Sequence, residues 1–227
     1  MADTFIKQAT GEFMKDSNGI YLKSRPFNQQ VIQDGLSFWG SADPNYLTLI
    51  DGLVSEAYDI RGTGQKMIQN TVANRPILLN NSLLFDSTDI LSKANESAKT
   101  MFVVINAKYS GTLGVGGIGT SQADGLKELG SLWSNQGYTQ TSSPIYMFYN
   151  SDKRSTAFPA ASISNVNVIL HSFYDFNIIN KTMLVGGALY SSSGSVKIIE
   201  WGWYNRVLTE PEVIYNINAL NAKYSIF

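Results

Sequence analysis

Hydrolysis of a glycosidic bond needs two facing carboxyl groups, roughly 5–5.5 Å apart for retention and about 6.5–9.5 Å apart for inversion. Two acids two positions apart on a strand would share a face and meet that demand. Glu200, in the stretch IIEWGW, is the strand acid nearest to this pattern, but positions 198 and 202 are Ile and Gly. Asp86 and Asp89 are three apart, at a strand end. His171 is the single histidine, so a Ser-His-acid triad would rest on it alone, and no nucleophile elbow accompanies it. The glycines of GVGGIGT, residues 114–120, resemble those of a phosphate loop, yet no Lys-Ser/Thr ending and no helix pattern follows. A flexible β-loop is the expectation there, and a protein that is not an enzyme is the expectation overall.

Sugar binding asks for different residues: an aromatic face to stack on a ring, with Asn and Asp beside it to bond hydroxyls. The middle of the chain supplies Asp124, Trp133, Asn135 and Tyr138 in a polar, Gly-rich stretch, with Trp133 in GSLWSNQGY the foremost aromatic. The same tryptophan would serve equally as a packing residue. Trp39, Trp201 and Trp203 lie within apolar strand patterns and are expected in the core.

The elements that must carry these residues are strands. Charged residues make up 15 % of the 227-residue chain, against about 25 % in an ordinary soluble protein. Ser, Asn, Thr and Gly fill the difference, which suits turns and an uncharged polar surface. Net charge is −1, with 17 basic and 18 acidic residues. No basic run or basic-aromatic stripe offers itself to nucleic acid. No apolar stretch reaches the roughly 18 residues of a membrane span, and MADTFIKQATGEF has no signal-peptide core. The chain has no Cys, so neither a disulfide scaffold nor a thiolate metal site can form.

Short strand patterns recur at Leu36–Gly40, Ser82–Asp86, Met101–Ala107, Ile145–Asn150, Val166–Tyr174, Thr182–Leu189 and Val196–Tyr204. Dense turn signals separate them, which points to an antiparallel sandwich. MFVVINA is apolar almost throughout, as a strand covered on both faces must be. One helix is expected near the end. Thr209 and Glu212 form a capping box, and Val213, Ile217, Leu220 and Tyr224 follow as an apolar stripe. Residues 1–34 differ from the rest: Phe5–Lys7 and Gly19–Lys23 are strand-like and joined through MKDSNG. A hairpin of that size is not stable alone. It packs on residues 35–227, pairs with another chain, or serves as an anchor.

Taken in order, Phe38-Trp39, Asp43, Asp59 with Gly62 and Gly64, Asn74-Arg75-Pro76 and Phe85-Asp86 resemble the opening of concanavalin A-like, laminin G-like jelly-roll modules. KIIEWGWYNRVLTEPEVIYNINALNAKYSI resembles the family's last core strand, capped helix and terminal Lys-Tyr. The resemblance runs from about Leu36 to Ile226 and is thin between Lys108 and Ile163. It implies an all-β, two-sheet antiparallel jelly roll with one short C-terminal helix. The family's glucanases carry their acids as Glu–x–Asp–x–x–Glu on one strand, a run missing from this sequence. The resemblance also raises calcium, for which Asp43, Asp59 and Asp86 are acids of the right type; ordinary turn bonding would equally explain each. Otherwise no cofactor is expected.

MADTFIKQATGEFMKDSNGIYLKS resembles the strand–turn–strand leaders of bacteriophage head or tail appendage proteins. That implies a virion protein, assembled in the host cytoplasm and held to other virion proteins through residues 1–34, with a lectin-like domain contacting host or environmental glycans. A homo-oligomer is expected, with no nucleic-acid or membrane partner. Two other readings stand: a purely structural capsid or tail stabiliser without ligand, and a bacterial carbohydrate-binding module at the cell surface or outside the cell.

Overall fold

The computed structural model describes the backbone of residues 7–8, 11–15, 21–23, 31–86, 88–106, 117–120, 128–133, 136–138, 144–149, 152–154, 166–173, 178–186 and 196–226. Side chains are described for residues 31–86, 88–105, 179–186 and 196–226. These segments are antiparallel β-structure with a single C-terminal α-helix.

The first strands are β1 (Lys7–Gln8), β2 (Gly11–Lys15) and β3 (Tyr21–Lys23). They form a three-stranded sheet of their own, with Lys15 opposite Tyr21 across the DSNG turn signal. The strand before that turn is thus Gly11–Lys15, where the sequence pattern had suggested Phe5–Lys7; Phe5 and Ile6 lie outside the described residues.

All later strands belong to one open sheet of sixteen. Its first half holds β4 (Leu36–Ser41), β5 (Leu47–Ile50), β6 (Leu53–Tyr58), β7 (Lys66–Ile68), β8 (Ile77–Leu79), β9 (Ser82–Phe85), β10 (Ile90–Ala98) and β11 (Thr100–Asn106). Next come β12 (Gly117–Thr120), β13 (Glu128–Trp133), β14 (Gln136–Tyr138), β15 (Pro144–Tyr149) and β16 (Asp152–Arg154). The last are β17 (Val166–Phe173), β18 (Ile178–Gly186) and β19 (Val196–Tyr204), followed by helix α1 (Glu210–Tyr224). Strand β18 (Ile178–Gly186) begins four residues before the Thr182–Leu189 run that the apolar pattern suggests and overlaps it through Gly186; residues 187–189 lie outside the described residues. The glycines of GVGGIGT are not all loop: Gly117–Thr120 form β12, paired to β13 and β18.

Strand β11 lies between β19 and β17, and Met101 to Ile105 are wholly buried. Alternation divides them between two apolar clusters. Met101, Val103 and Ile105 join Phe38, Val54, Met67, Leu91, Val185 and Trp201. Phe102 and Val104 point the other way, to Trp39, Tyr204 and the helix residues Val213, Ile217 and Leu220. A helix with one apolar stripe can bury it only on such a face.

The alternation of β19 is interrupted once. Val104 stands opposite Glu200 and Ile105 opposite Ile198, so Ile199 is an extra residue, a β-bulge. Val196 and Ile198 point into the first cluster before the bulge, and Trp201 and Trp203 do so after it. Without the extra residue both indoles would face the helix. Trp203 stacks on Phe38 with ring centroids 4.8 Å apart.

Close packing of Trp201 requires glycine at its register partner, Gly40. A methyl group at position 40 would stand 2.3 Å from the Trp201 ring. Gly40→Ala is therefore expected to lower stability by about 1–3 kcal/mol, the usual cost of overpacking a core. Urea denaturation of the two proteins measures it; equal midpoints would show that the ring moves aside freely.

Candidate functional site

A polar cleft of about 580 Å³ opens where the start of β4, the loop after β6, the end of β10 and the chain after β19 meet. The loop is DIRGTGQ, residues 59–65, and its backbone turns through left-handed Gly62 and Gly64. Asp59 anchors it. Its backbone N–H donates to Gln65 O at 2.8 Å, and its buried carboxylate accepts from Arg61 Nε at 2.9 and 3.1 Å. The rest of the Arg61 fork reaches the β4 carbonyls of Leu36 and, at 3.0 Å, Ser37. The Asp–x–x–Gly–x–Gly pattern thus sets a guanidinium that ties the loop to β4.

The opposite wall comes from β10, where register slips twice against β18. One residue is extra in β10 between Lys93 and Glu96, and one in β18 between Ile178 and Lys181. An asparagine in the left-handed region sits at each slip, Asn95 at φ 60° and Asn180 at φ 53°. Asparagine tolerates that conformation better than most residues. The slip at Asn95 changes which residues point inward: Leu91 does before it, Glu96 and Ala98 after it. Glu96 is 7 % exposed. Trp203 Nε1 donates to its Oε2 at 2.7 Å, and Lys93 forms an ion pair with its Oε1.

A second buried carboxylate lies on the helix side of the sheet. Glu200, turned there by the bulge, accepts from Trp39 Nε1 at 2.7 Å and pairs with Lys223 and Tyr224 of α1. Neither glutamate was evident as a partner of an indole in the sequence. A bulge breaks the period-2 pattern that would have revealed the facing residues.

Beside the cleft, Arg206 bonds Asp34 at 2.8 Å and Glu212 at 2.7 and 3.0 Å. Glu212 also accepts from the Thr209 N–H at 2.8 Å, the reach-back half of the capping box. Hydrogen bonding from Arg206, opposed in part by burial and aided by Thr209, lowers the Glu212 carboxyl to about 2.

The other residues of chemical interest are dispersed. Trp133 ends β13 opposite Gln136, and Tyr138 stands opposite Ser131, so the β13–β14 hairpin carries both. Their side chains, and all of Asp124 and Asn135, lie outside the described residues. His171 is on β17 between Met101 and Met147 in register, and its side chain lies outside them too. Of the aspartates considered for calcium, Asp59 is held by Arg61, Asp43 accepts from the Asn45 N–H at 3.0 Å, and Asp86 accepts from the Thr88 N–H at 3.1 Å. Among the described residues no three acids or histidines gather as a metal site. Asp89 accepts the Asp86 N–H at 3.0 Å; burial pushes its carboxyl up, that N–H opposes the shift, and the charge of Asp86 adds to it.

No protein-family model matches the chain, and no curated protein matches it.

Two outcomes follow from the carboxylates. Trp203→Phe keeps an aromatic ring but removes the donor to Glu96 and shrinks a buried side chain, and should cost at least about 1–3 kcal/mol, the loss of a bond to a buried acceptor with a cavity added to it. A denaturation midpoint unchanged from wild type would show that the bond contributes nothing. Glu212 has a folded value near 2 against an ordinary 4.5, so its contribution is full above the ordinary value and is lost as pH falls towards 2. Between about pH 5 and pH 2, wild type should therefore lose stability more steeply than Glu212→Gln. Parallel curves in urea would rule out that role for the Arg206 pair.

Proposed function

We propose that this chain is a non-catalytic virion protein, a decoration or fibre component of a bacteriophage head or tail. Its lectin-like domain takes a two-layer jelly-roll form, faces outward and contacts glycans, while residues 1–34 attach it to the particle. One observation carries this reading: among the described residues, β1, β2 and β3 form a three-stranded sheet separate from the large sheet, whereas the described strands from β4 onward belong to the large sheet. Val31 is 2 % exposed against the helix cluster, and the Ile32 N–H donates to Asn216 Oδ1 at 2.7 Å. A small sheet of its own, joined to a tightly packed body, suits an attachment element.

The two-layer form is supported by the first apolar cluster. Residues of β4, β11 and β19 pack there against residues of β6, β7, β10 and β18. The carboxylates of Glu96 and Glu200 serve indole and ammonium donors, a structural use that accords with binding more than with acid–base chemistry. The glycan contact read from the sequence is the hairpin of Trp133 and Tyr138, with Asn135 and Asp124. Calcium remains part of the proposal only through the family resemblance.

A second reading, a structural stabiliser without ligand, draws on the outer face. Ile50 lies opposite Leu53, Leu53 opposite Ile77, and Ile77 opposite Leu84. Ile50 and Ile77 in that aliphatic row are 46 % and 44 % exposed. Protein–protein contact would cover such a row.

Removing residues 1–30 tests the attachment role. The truncated protein should keep a strand-dominated far-ultraviolet spectrum and its cooperative melting, and should be missing from purified virus particles. Incorporation at the wild-type level would overturn the role of the N-terminal sheet; collapse of the melting transition would make that sheet part of the body.

A further inference from the structure

We infer that the cleft between Arg61 and Glu96 is a binding site for a neutral, hydroxyl-rich ligand, an uncharged saccharide. This rests on the proposed glycan contact but places a site apart from the Trp133 hairpin. The cleft volume, about 580 Å³, lies within the roughly 300–1,000 Å³ usual for small-molecule sites.

Its charges are already matched inside the protein. The Arg61 guanidinium bonds Asp59 and two β4 carbonyls. The Glu96 carboxylate bonds Trp203 on one oxygen and Lys93 on the other. Among the described residues of the lining, a phosphate, sulfate or sialic acid would find no unpaired cation, and an amine no unpaired anion.

The neutral groups are the reverse. Among the described residues, Gln65, Asn95, Ser97 and Asn205 are in the cleft lining, and their side chains make no hydrogen bond with protein. Each amide offers a donor and an acceptor, as Ser97 does, and a sugar hydroxyl requires both. On a convex surface such groups would merely be hydrated; here loop, strand and post-strand chain converge them on one concavity. The frame is rigid. The β10 bulge holds Asn95 left-handed beside a buried ion pair, the kind of irregularity that re-aims side chains next to sites.

The test is titration calorimetry with neutral hexose and N-acetylhexosamine oligosaccharides beside their sialylated and sulfated counterparts. The proteins are wild type, Gln65→Ala/Asn205→Ala and Trp133→Ala, each with its melting temperature measured. Loss of two hydrogen bonds should weaken binding of a neutral oligosaccharide by about tenfold or more in the double variant, at an unchanged melting temperature. Wild-type affinity in that variant overturns the cleft; if Trp133→Ala then loses binding, the glycan reading survives without it. Binding confined to the acidic sugars overturns the neutral assignment. Should wild type bind none of the sugars at millimolar concentration, the glycan reading falls, and the cleft with it.

Discussion

A strand can present only alternate residues to one side, so a single extra residue exchanges the two faces for everything that follows it. Strand β19 contains such a residue at Ile199 and β10 another beside Asn95. In β19 the exchange sends Trp201 and Trp203 into the larger apolar cluster and Glu200 towards the helix. In β10 it brings Glu96 inward, beneath the Trp203 indole. The packing of the sheet, the docking of α1 and the shape of the polar cleft all depend on these two changes of phase.

Burying a carboxylate is costly unless its oxygens are paired and bonded. Glu96 and Glu200 meet that condition alike: an indole N–H on one oxygen and a lysine on the other. An indole buried without an acceptor would itself carry a cost, so each pairing resolves two problems at one place. The Glu200 pairing spans three elements, since Trp39 is on β4 and Lys223 and Tyr224 are on α1. It therefore fastens the last helix to the strand that precedes it and to the first strand of the large sheet.

A comparable network joins the N-terminal side to the body. The Tyr204 hydroxyl donates to Ile32 O at 3.0 Å and accepts from Asn216 Nδ2 at 2.9 Å, while Asn216 Oδ1 takes the Ile32 N–H. Burial pushes the Tyr204 hydroxyl far up, so it stays protonated and can act as that donor. The chain leading from the small sheet is thus held by directed bonds inside an apolar cluster. A load on the N-terminal segment would reach β19 and α1 through them.

The sequence alone determined the elements whose information is local. The Thr209–Glu212 box and the stripe Val213, Ile217, Leu220 marked α1, and the apolar run from Met101 marked the doubly covered β11. It also marked Trp39, Trp201 and Trp203 as core residues, because indoles within apolar strand patterns have nowhere else to go. It did not reveal β10, where ILSKANESA shows no steady alternation, nor the pairing of Trp203 with Glu96 and of Trp39 with Glu200. Residues 107 and 161 positions apart meet only once strand register is set, and register here turns on single extra residues. A bulge leaves no periodic trace, and a cleft bounded by four separated segments exists only after they converge. The identity of α1 and of the strongly patterned strands such as β11 and β19 was therefore legible in the chain, while the inward direction of Glu96 and Glu200 was decided by the tertiary structure.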